Sequence, residues 1–213
     1  MTAEAPDRSY PLAAFRHDVG EDILAHFRHG AAFYSGRPGL LRRLSILLSA
    51  PMMCTALFRL SHWAWCRGHR RIAWTLSNVN QIIHGASLHP ASRIGVGLYM
   101  PHTVGIIFEG HAGRNLVLFA SAVVAGGERH PHAWRGGDGV PVLGDDVTLG
   151  AFSLISGSLS VGDRVRVAPC AVVHTNVPAD SRVFGGSPSR VRIPDNLRAA
   201  RAQRDGDRDA LEA

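Results

Sequence analysis

Two hydrophobic rhythms divide the chain near Gly85. Over residues 19–34 the apolar side chains Ile23, Leu24, Phe27 and Phe33 recur at helical spacing among charges and alanines. Ser35-Gly36-Arg37-Pro38-Gly39 breaks that run. Residues 40–48 read as a short helix. Ser49 then stands as an N-cap ahead of Pro51, which a first helical turn tolerates. The helix that follows carries Leu57, Leu60, Ala64 and Trp65, and Gly68 is placed to end it. A further run over 71–84 carries Ile72, Leu76, Val79, Ile82 and Ile83 and stops at Gly85. The spacing predicts a helical N-terminal domain over 18–85, preceded by a flexible arm over 1–17.

Beyond Gly85 the period becomes six. Leu143, Leu149, Ile155, Val161, Val167 and Val173 are aliphatic and evenly spaced. The residues after them, Gly144, Gly150, Ser156, Gly162, Ala168 and His174, are small at every position but the last. Upstream, Leu88, Ile94, Met100, Ile106, Leu118 and Val124 share the spacing, with Ala112 a weak member. Six is neither the helix period nor plain strand alternation. It marks a solenoid that stacks equivalent aliphatic positions into a central column. The small residues that follow are expected to let the chain turn a tight corner. Strands of an ordinary sandwich would not sustain this period through so many units.

The register is expected to break once, between Val124 and Leu143, where AGGERHPHAWRGGDGVP intervenes. This predicts a solenoid domain over 86–192 with an inserted loop over 125–142, a place where solenoids often carry function. Residues 193–213 are expected to form a C-terminal tail, in which arginines and acids nearly alternate from Pro194 as in either a short solvated helix or a disordered segment.

Composition changes this picture little. The hydrophobic fraction of 46% is ample for a core and excludes global disorder. The net charge is +6 and the isoelectric point about 10.2, with every basic side chain an arginine. Such a balance suits an anionic ligand such as coenzyme A, and equally nucleic acid or a membrane surface. Cys54, Cys66 and Cys170 give neither a disulfide framework nor paired metal-ligand spacing, and they fit a reducing cytoplasm. The opening MTAEAPDRSY lacks the apolar core of a signal peptide. The longest apolar run is interrupted by Pro51 and is too short for a membrane span.

The motifs of residues 40–192 resemble the serine O-acetyltransferase family of hexapeptide-repeat enzymes. LFRLSHWAWCRGHRRIAWTLSNVNQIIHG looks like the family's entry segment. SLHPASRIGVGLYMPHTVGII matches its catalytic coil, and DDVTLGAFSLISGSLSVGDRVRVAPCAVVHTNVPADSRVFGGSPSRV its closing coils. The resemblance implies a mainly β fold, a left-handed parallel β-helix preceded by the α-helical segment. It implies homotrimers or a dimer of trimers, with acetyl-CoA bound along the seam between subunits. His102 falls on the catalytic histidine. A hydroxyl acceptor has too high a pKa to attack a thioester unaided, and a neutral imidazole can take its proton. Backbone N–H groups of the coil would hold the oxyanion. On the same basis Gly150, Ala151, Ser156, Ala168 and Arg190 fall where coenzyme A binds, and Arg164, Arg166 and Arg192 lie on the same late coils.

The departures concern the acceptor. Where the family orients its imidazole with an acidic residue, this chain has Ser87, which can accept a hydrogen bond but brings no charge. Pro101 replaces an aspartate before the histidine, and Arg37-Pro38 is the nearest counterpart of an Asp-Pro pair. A free ammonium group would find no carboxylate there, and Arg37 would repel it. For the acceptor's carboxylate two alignments stand open. Arg129-His130-Pro131 has the right letters far ahead of the register, and Gly136 to Pro141 takes the position counted back from the repeats. Arg129 and His130 are candidate substrate ligands, and Trp134 either covers a planar acceptor or packs on the solenoid wall. His111 is a weaker candidate base, and His130 with His132 makes no metal site.

The sequence therefore points to an acyltransferase using acetyl-CoA or another acyl-CoA as cosubstrate, with no permanently bound cofactor, no nucleic-acid partner and no membrane span. The expected acceptor is a hydroxyl or amine other than free serine, such as a specialised metabolite, a sugar or a carrier-bound intermediate. A true serine O-acetyltransferase of cysteine biosynthesis is the second reading, and a non-catalytic trimeric scaffold the third.

Overall fold

The computed structural model describes residues 10–31, 45–126 and 139–185. The helices are α1 (Leu12–Ala31), α2 (Ala50–Cys66) and α3 (Arg70–His84). Two- and three-residue strands follow. They are β1 (Ser87–Leu88), β2 (Arg93–Ile94), β3 (Ile107–Phe108), β4 (His111–Ala112), β5 (Val117–Leu118), β6 (Val123–Ala125) and β7 (Val142–Leu143). Next come β8 (Thr148–Leu149), β9 (Leu154–Ser156), β10 (Ser160–Val161), β11 (Arg166–Val167), β12 (Val172–Val173) and β13 (Arg182–Val183). They stack into three parallel sheets: β1-β3-β6-β9-β12, β2-β4-β7-β10 and β5-β8-β11-β13. Tyr99 extends the third sheet by a bridge to Val117. The chain visits the sheets in turn, one rung per circuit, and the result is a left-handed parallel β-helix.

The helix boundaries follow local chemistry. Ser49, extended at ψ 147°, faces the Met52 amide with its hydroxyl at the start of α2, and Pro51 occupies the first turn. Gly85 adopts a left-handed φ of 68° and closes α3 by donating to Gln81 O. α1 begins at Leu12, inside the span expected as an arm, and ends at Ala31, while residues 32–34 lie outside those described. Of the helix expected over 40–48, residues 45–47 are helical and 40–44 lie outside the described set.

The period-six reading needs two corrections. First, the register also shifts around His102. The first-sheet column runs Leu88, Phe108, Val124, Ile155, Val173, so Phe108 fills the place expected for Ile106. Ile106 instead precedes the strand, level with Ala122. Met100 to Phe108 spans eight residues and Phe108 to Ala112 only four. The two irregularities sum to two ordinary units, which is why even spacing concealed them. Second, the small residues do not make the turns. Asn115, Ser121, Asp146, Phe152, Arg164, Cys170 and Asp180 do so, all at positive φ. The glycines are needed for close approach between rungs. A Cβ on Gly144 would lie 2.8 Å from Asp163 N, and one on Gly150 2.5 Å from Pro169 N.

A buried ion pair fastens the helical unit to the first coil. Asp22 and Arg59 are 0% and 1% exposed. Arg59 donates from Nε and Nη2 to the Asp22 carboxylate at 2.7 and 3.1 Å, and onward to the carbonyls of Ile94 and Gly95. Asp22 Oδ1 also accepts from the amides of Gly97 and Leu98 at 2.8 and 2.9 Å. Each buried charge is thus met by an opposite charge and by backbone dipoles, as burial requires.

α3 turns its aliphatic stripe outward. Its buried residues are Ala73, Ser77, Asn80 and His84, while Ile72, Val79, Ile82 and Ile83 are exposed, Ile82 at 83%. The small polar face fits closely against α2 and the first rung. Asn80 donates to Cys54 O, and Ser77 to Leu88 O.

Candidate active site

The corner joining the third sheet to the first carries the candidate chemistry. Its rungs are laced by backbone bonds from Gly105 N to Gly85 O, Ser121 N to Val104 O, Phe152 N to Ala120 O and Cys170 N to Ala151 O, all 2.9 to 3.0 Å. On the later rungs one residue separates the third-sheet column from this lacing: Phe119, Gly150 or Ala168. On the first rung three do so, namely Pro101, His102 and Thr103. His102 therefore stands on a two-residue insertion, exposed, above a fully buried Met100.

Stacking brings some of the expected cofactor residues into line with it. Gly150 and Ala151 lie two rungs on, and Ala168 three. Ser156, at the end of β9, pairs with Ala125 at the opposite edge of the first sheet, apart from the other three. Phe152, 66% exposed, stands beside Ala151. Arg164 belongs to a different corner, where it pairs with Asp180 at 2.6 Å. Arg37, Arg129, His130, Trp134 and Arg190 lie outside the described residues, and so does Arg192.

Ser87 sits half-buried at the start of β1, and its amide donates to Ile106 O at 2.8 Å. Among the described residues its hydroxyl makes no hydrogen bond to His102, and no carboxylate is bonded to His102. The backbone beside the imidazole is tied down at the next residue. Thr103, buried, donates its hydroxyl to His84 O at 2.8 Å. Thr103 was not legible as a site residue. Its only signal was its place directly after the histidine.

The inserted loop leaves and rejoins the β-helix at the corner between the first and second sheets, across the first sheet from His102. There His89, Ser92, Glu109, His111 and Val140 line a small cleft. Burial raises the pKa of Glu109, and burial together with Arg93 lowers that of His111. Burial, then Arg70, pushes His89 down to about 4. His89 Nδ1 accepts from Ala91 N, and the ring stands edge-on to Trp65 and Trp74, so the histidine of the Leu-His-Pro motif is structural. His111 Nδ1 faces the Arg93 amide at 3.3 Å, which leaves it poorly placed to serve His102's corner.

No protein-family model matches the chain. Among curated proteins it is similar to the serine acetyltransferase of Helicobacter pylori, at 30% identity over 156 residues covering 70% of this chain and 85% of that protein. It is 31% identical over 140 residues to the serine acetyltransferase of Escherichia coli, covering 65% of this chain and 50% of the relative. Against several such relatives the chain spans only half to just under two thirds of their length. Among solved structures, serine acetyltransferase isoform 3 of Entamoeba histolytica in complex with cysteine superposes with a TM-score of 0.71 at 19% identity. That match covers 92% of this chain and 68% of the other, and it establishes the shared fold.

Proposed function

This chain belongs to the serine acetyltransferase family, and from that premise we propose that it transfers an acetyl group from acetyl-CoA to the hydroxyl of serine. The observation that carries this reading is the alignment of His102 with Gly150, Ala151 and Ala168 on one corner of the β-helix. Rungs are about 4.8 Å apart, so Gly150 and Ala168 lie roughly 10 and 14 Å along the axis from His102. That is room for an extended pantetheine arm whose thioester ends at the imidazole. His102 takes the hydroxyl proton as the oxygen attacks the thioester carbonyl. The tetrahedral intermediate collapses with cleavage of the C–S bond, and the proton passes to the departing thiolate. The products are O-acetylserine and coenzyme A.

The named relatives turn the acceptor reading from a non-serine hydroxyl or amine toward serine itself. Ser87 and Pro101 keep the other reading alive, because neither supplies a carboxylate for an ammonium group. Thiol release from acetyl-CoA, measured across serine and amine-free hydroxyl acceptors, separates the two. Turnover of serine at millimolar concentration supports the first. Negligible turnover of serine beside a reactive amine-free acceptor supports the second.

The site is completed by a neighbour in a homotrimer. In support, the His102 corner is open in a single chain, and Ile72, Val79, Ile82, Ile83 and Phe152 leave apolar surface exposed beside it and on α3. Light scattering that reports a monomer at micromolar concentration would refute the assembly. Among the described residues no helix is long and apolar enough to cross a membrane.

A further inference from the structure

A catalytic imidazole must be held within a fraction of an ångström of its productive position, by residues that are themselves fixed. His102 stands where the β-helix is least able to do this by its ordinary means. The strand ladder that fixes each rung ends at Met100 and resumes at Ile107, and the two extra residues of the corner have no counterpart on the rungs above. Ser87, the residue expected to orient the ring, makes no hydrogen bond to it.

We propose that Thr103 is the positioning residue of His102, its hydroxyl hooking the inserted corner onto the end of α3. The last carbonyls of a helix have no partner within the helix and seek one outside. The corner supplies them: Thr103 Oγ1 donates to His84 O at 2.8 Å, and Gly105 N donates to Gly85 O at 2.9 Å. Thr103 O in turn accepts from Ile106 N at 3.3 Å, which closes the turn from within. The anchor is itself fixed. His84 Nδ1 meets Asn80 Oδ1 at 2.9 Å, and Asn80 Nδ2 donates to Cys54 O at 3.0 Å. A buried chain of side-chain bonds thus runs from the backbone of α2 through α3 to the residue beside the imidazole. Pro101 stiffens the other side, since its ring fixes φ. The corner is thereby the C-terminal cap of α3 and the platform of His102 at once, and among the described residues the hydroxyl makes the one side-chain hydrogen bond between the two.

This inference rests on His102 being the base, and its test separates the two ideas. Thr103→Val keeps the shape and removes the hydroxyl, and Thr103→Ser keeps the hydroxyl and removes the methyl group. In the full-length protein, Thr103→Val should lower kcat for acetyl transfer by about tenfold or more with KM for acetyl-CoA unchanged, and Thr103→Ser should restore most of it. The second readout needs no activity. Amide hydrogen exchange at Gly105, whose bond to Gly85 O depends on the same corner, should quicken in Thr103→Val and not in Thr103→Ser. A Thr103→Val protein with unchanged kcat and unchanged Gly105 exchange overturns the proposal. Fast Gly105 exchange with unchanged kcat overturns it too, since the corner then moves without consequence for catalysis. If the wild-type chain transfers no acetyl group to any acceptor, the functional reading fails instead. Gly105 exchange then decides whether the hook exists.

Discussion

Replacing Asp22 by alanine would strand Arg59, a guanidinium 1% exposed, inside the joint between helices and β-helix. Arg59 would keep its bonds to the Ile94 and Gly95 carbonyls and the longer approach to Asp18 at 3.7 Å, but lose its bidentate partner. Removing one member of a buried pair typically costs about 3–5 kcal/mol. The amides of Gly97 and Leu98 would be orphaned as well, at roughly 1–3 kcal/mol each where water cannot reach them. Some of this overlaps, so the expected loss is on the order of 4 kcal/mol or more. For a chain of this size that corresponds to a fall in Tm of about 10 °C, at roughly 2–4 °C per kcal/mol. Urea unfolding at fixed protomer concentration measures it, because assembly would otherwise shift the midpoint. The double variant Asp22→Leu with Arg59→Met removes both charges and should recover much of the loss. A double variant no better than Asp22→Ala would assign the cost to the orphaned amides. A loss below about 1 kcal/mol for Asp22→Ala would refute the claim that the pair fastens the two halves.

His102→Ala should lower acetyl transfer by about 100- to 10,000-fold, and because the side chain is exposed Tm should barely move. Near-full activity in a single-turnover assay would dismiss it as the base. Ser87→Ala should cost little, since its hydroxyl makes no bond to His102, while Ser87→Asp should raise the rate if a carboxylate there reaches the ring; a large loss in Ser87→Ala would contradict the open geometry. Gly162→Ala would set a Cβ 2.4 Å from Ala179 N and 2.7 Å from Ala179 Cα, and should destabilise by about 1–3 kcal/mol or more by denaturant unfolding. His89 is neutral in the fold, with a pKa pushed down to about 4. Its contribution is therefore full above about pH 6.5 and is lost as pH falls toward 4, on the order of 3 kcal/mol. A His89→Phe variant whose stability falls just as steeply over that window would place the acid sensitivity elsewhere.

The period of six was legible because it is a local consequence of the architecture. Each rung must place one aliphatic side chain inside per sheet, and each following residue must admit the rung above within van der Waals reach. His102 shares one corner with Gly150, Ala151 and Ala168 for a related reason, since a motif fixed to a repeat inherits the repeat's geometry, and their roles belong to the proposed function. The caps at Ser49 and Gly85 rest on neighbouring residues alone and were read correctly. What depended on distant residues was not. The insertion at Pro101-His102-Thr103 is offset by the shortened corner at Glu109, so the spacing between Ile94 and Ala112 stays even, and only strand pairing shows which rung gained and which lost. The inward face of α3 was not legible, because periodicity reports that a stripe is apolar and not what covers it. Within one chain, Ala73, Ser77, Asn80 and His84 fit the narrow space against α2, and the aliphatic stripe faces out. Asp22 and Arg59 lie 37 residues apart, and no local pattern joins them. Only the folded chain brings two charges together from which water has been removed, and there each becomes indispensable to the other.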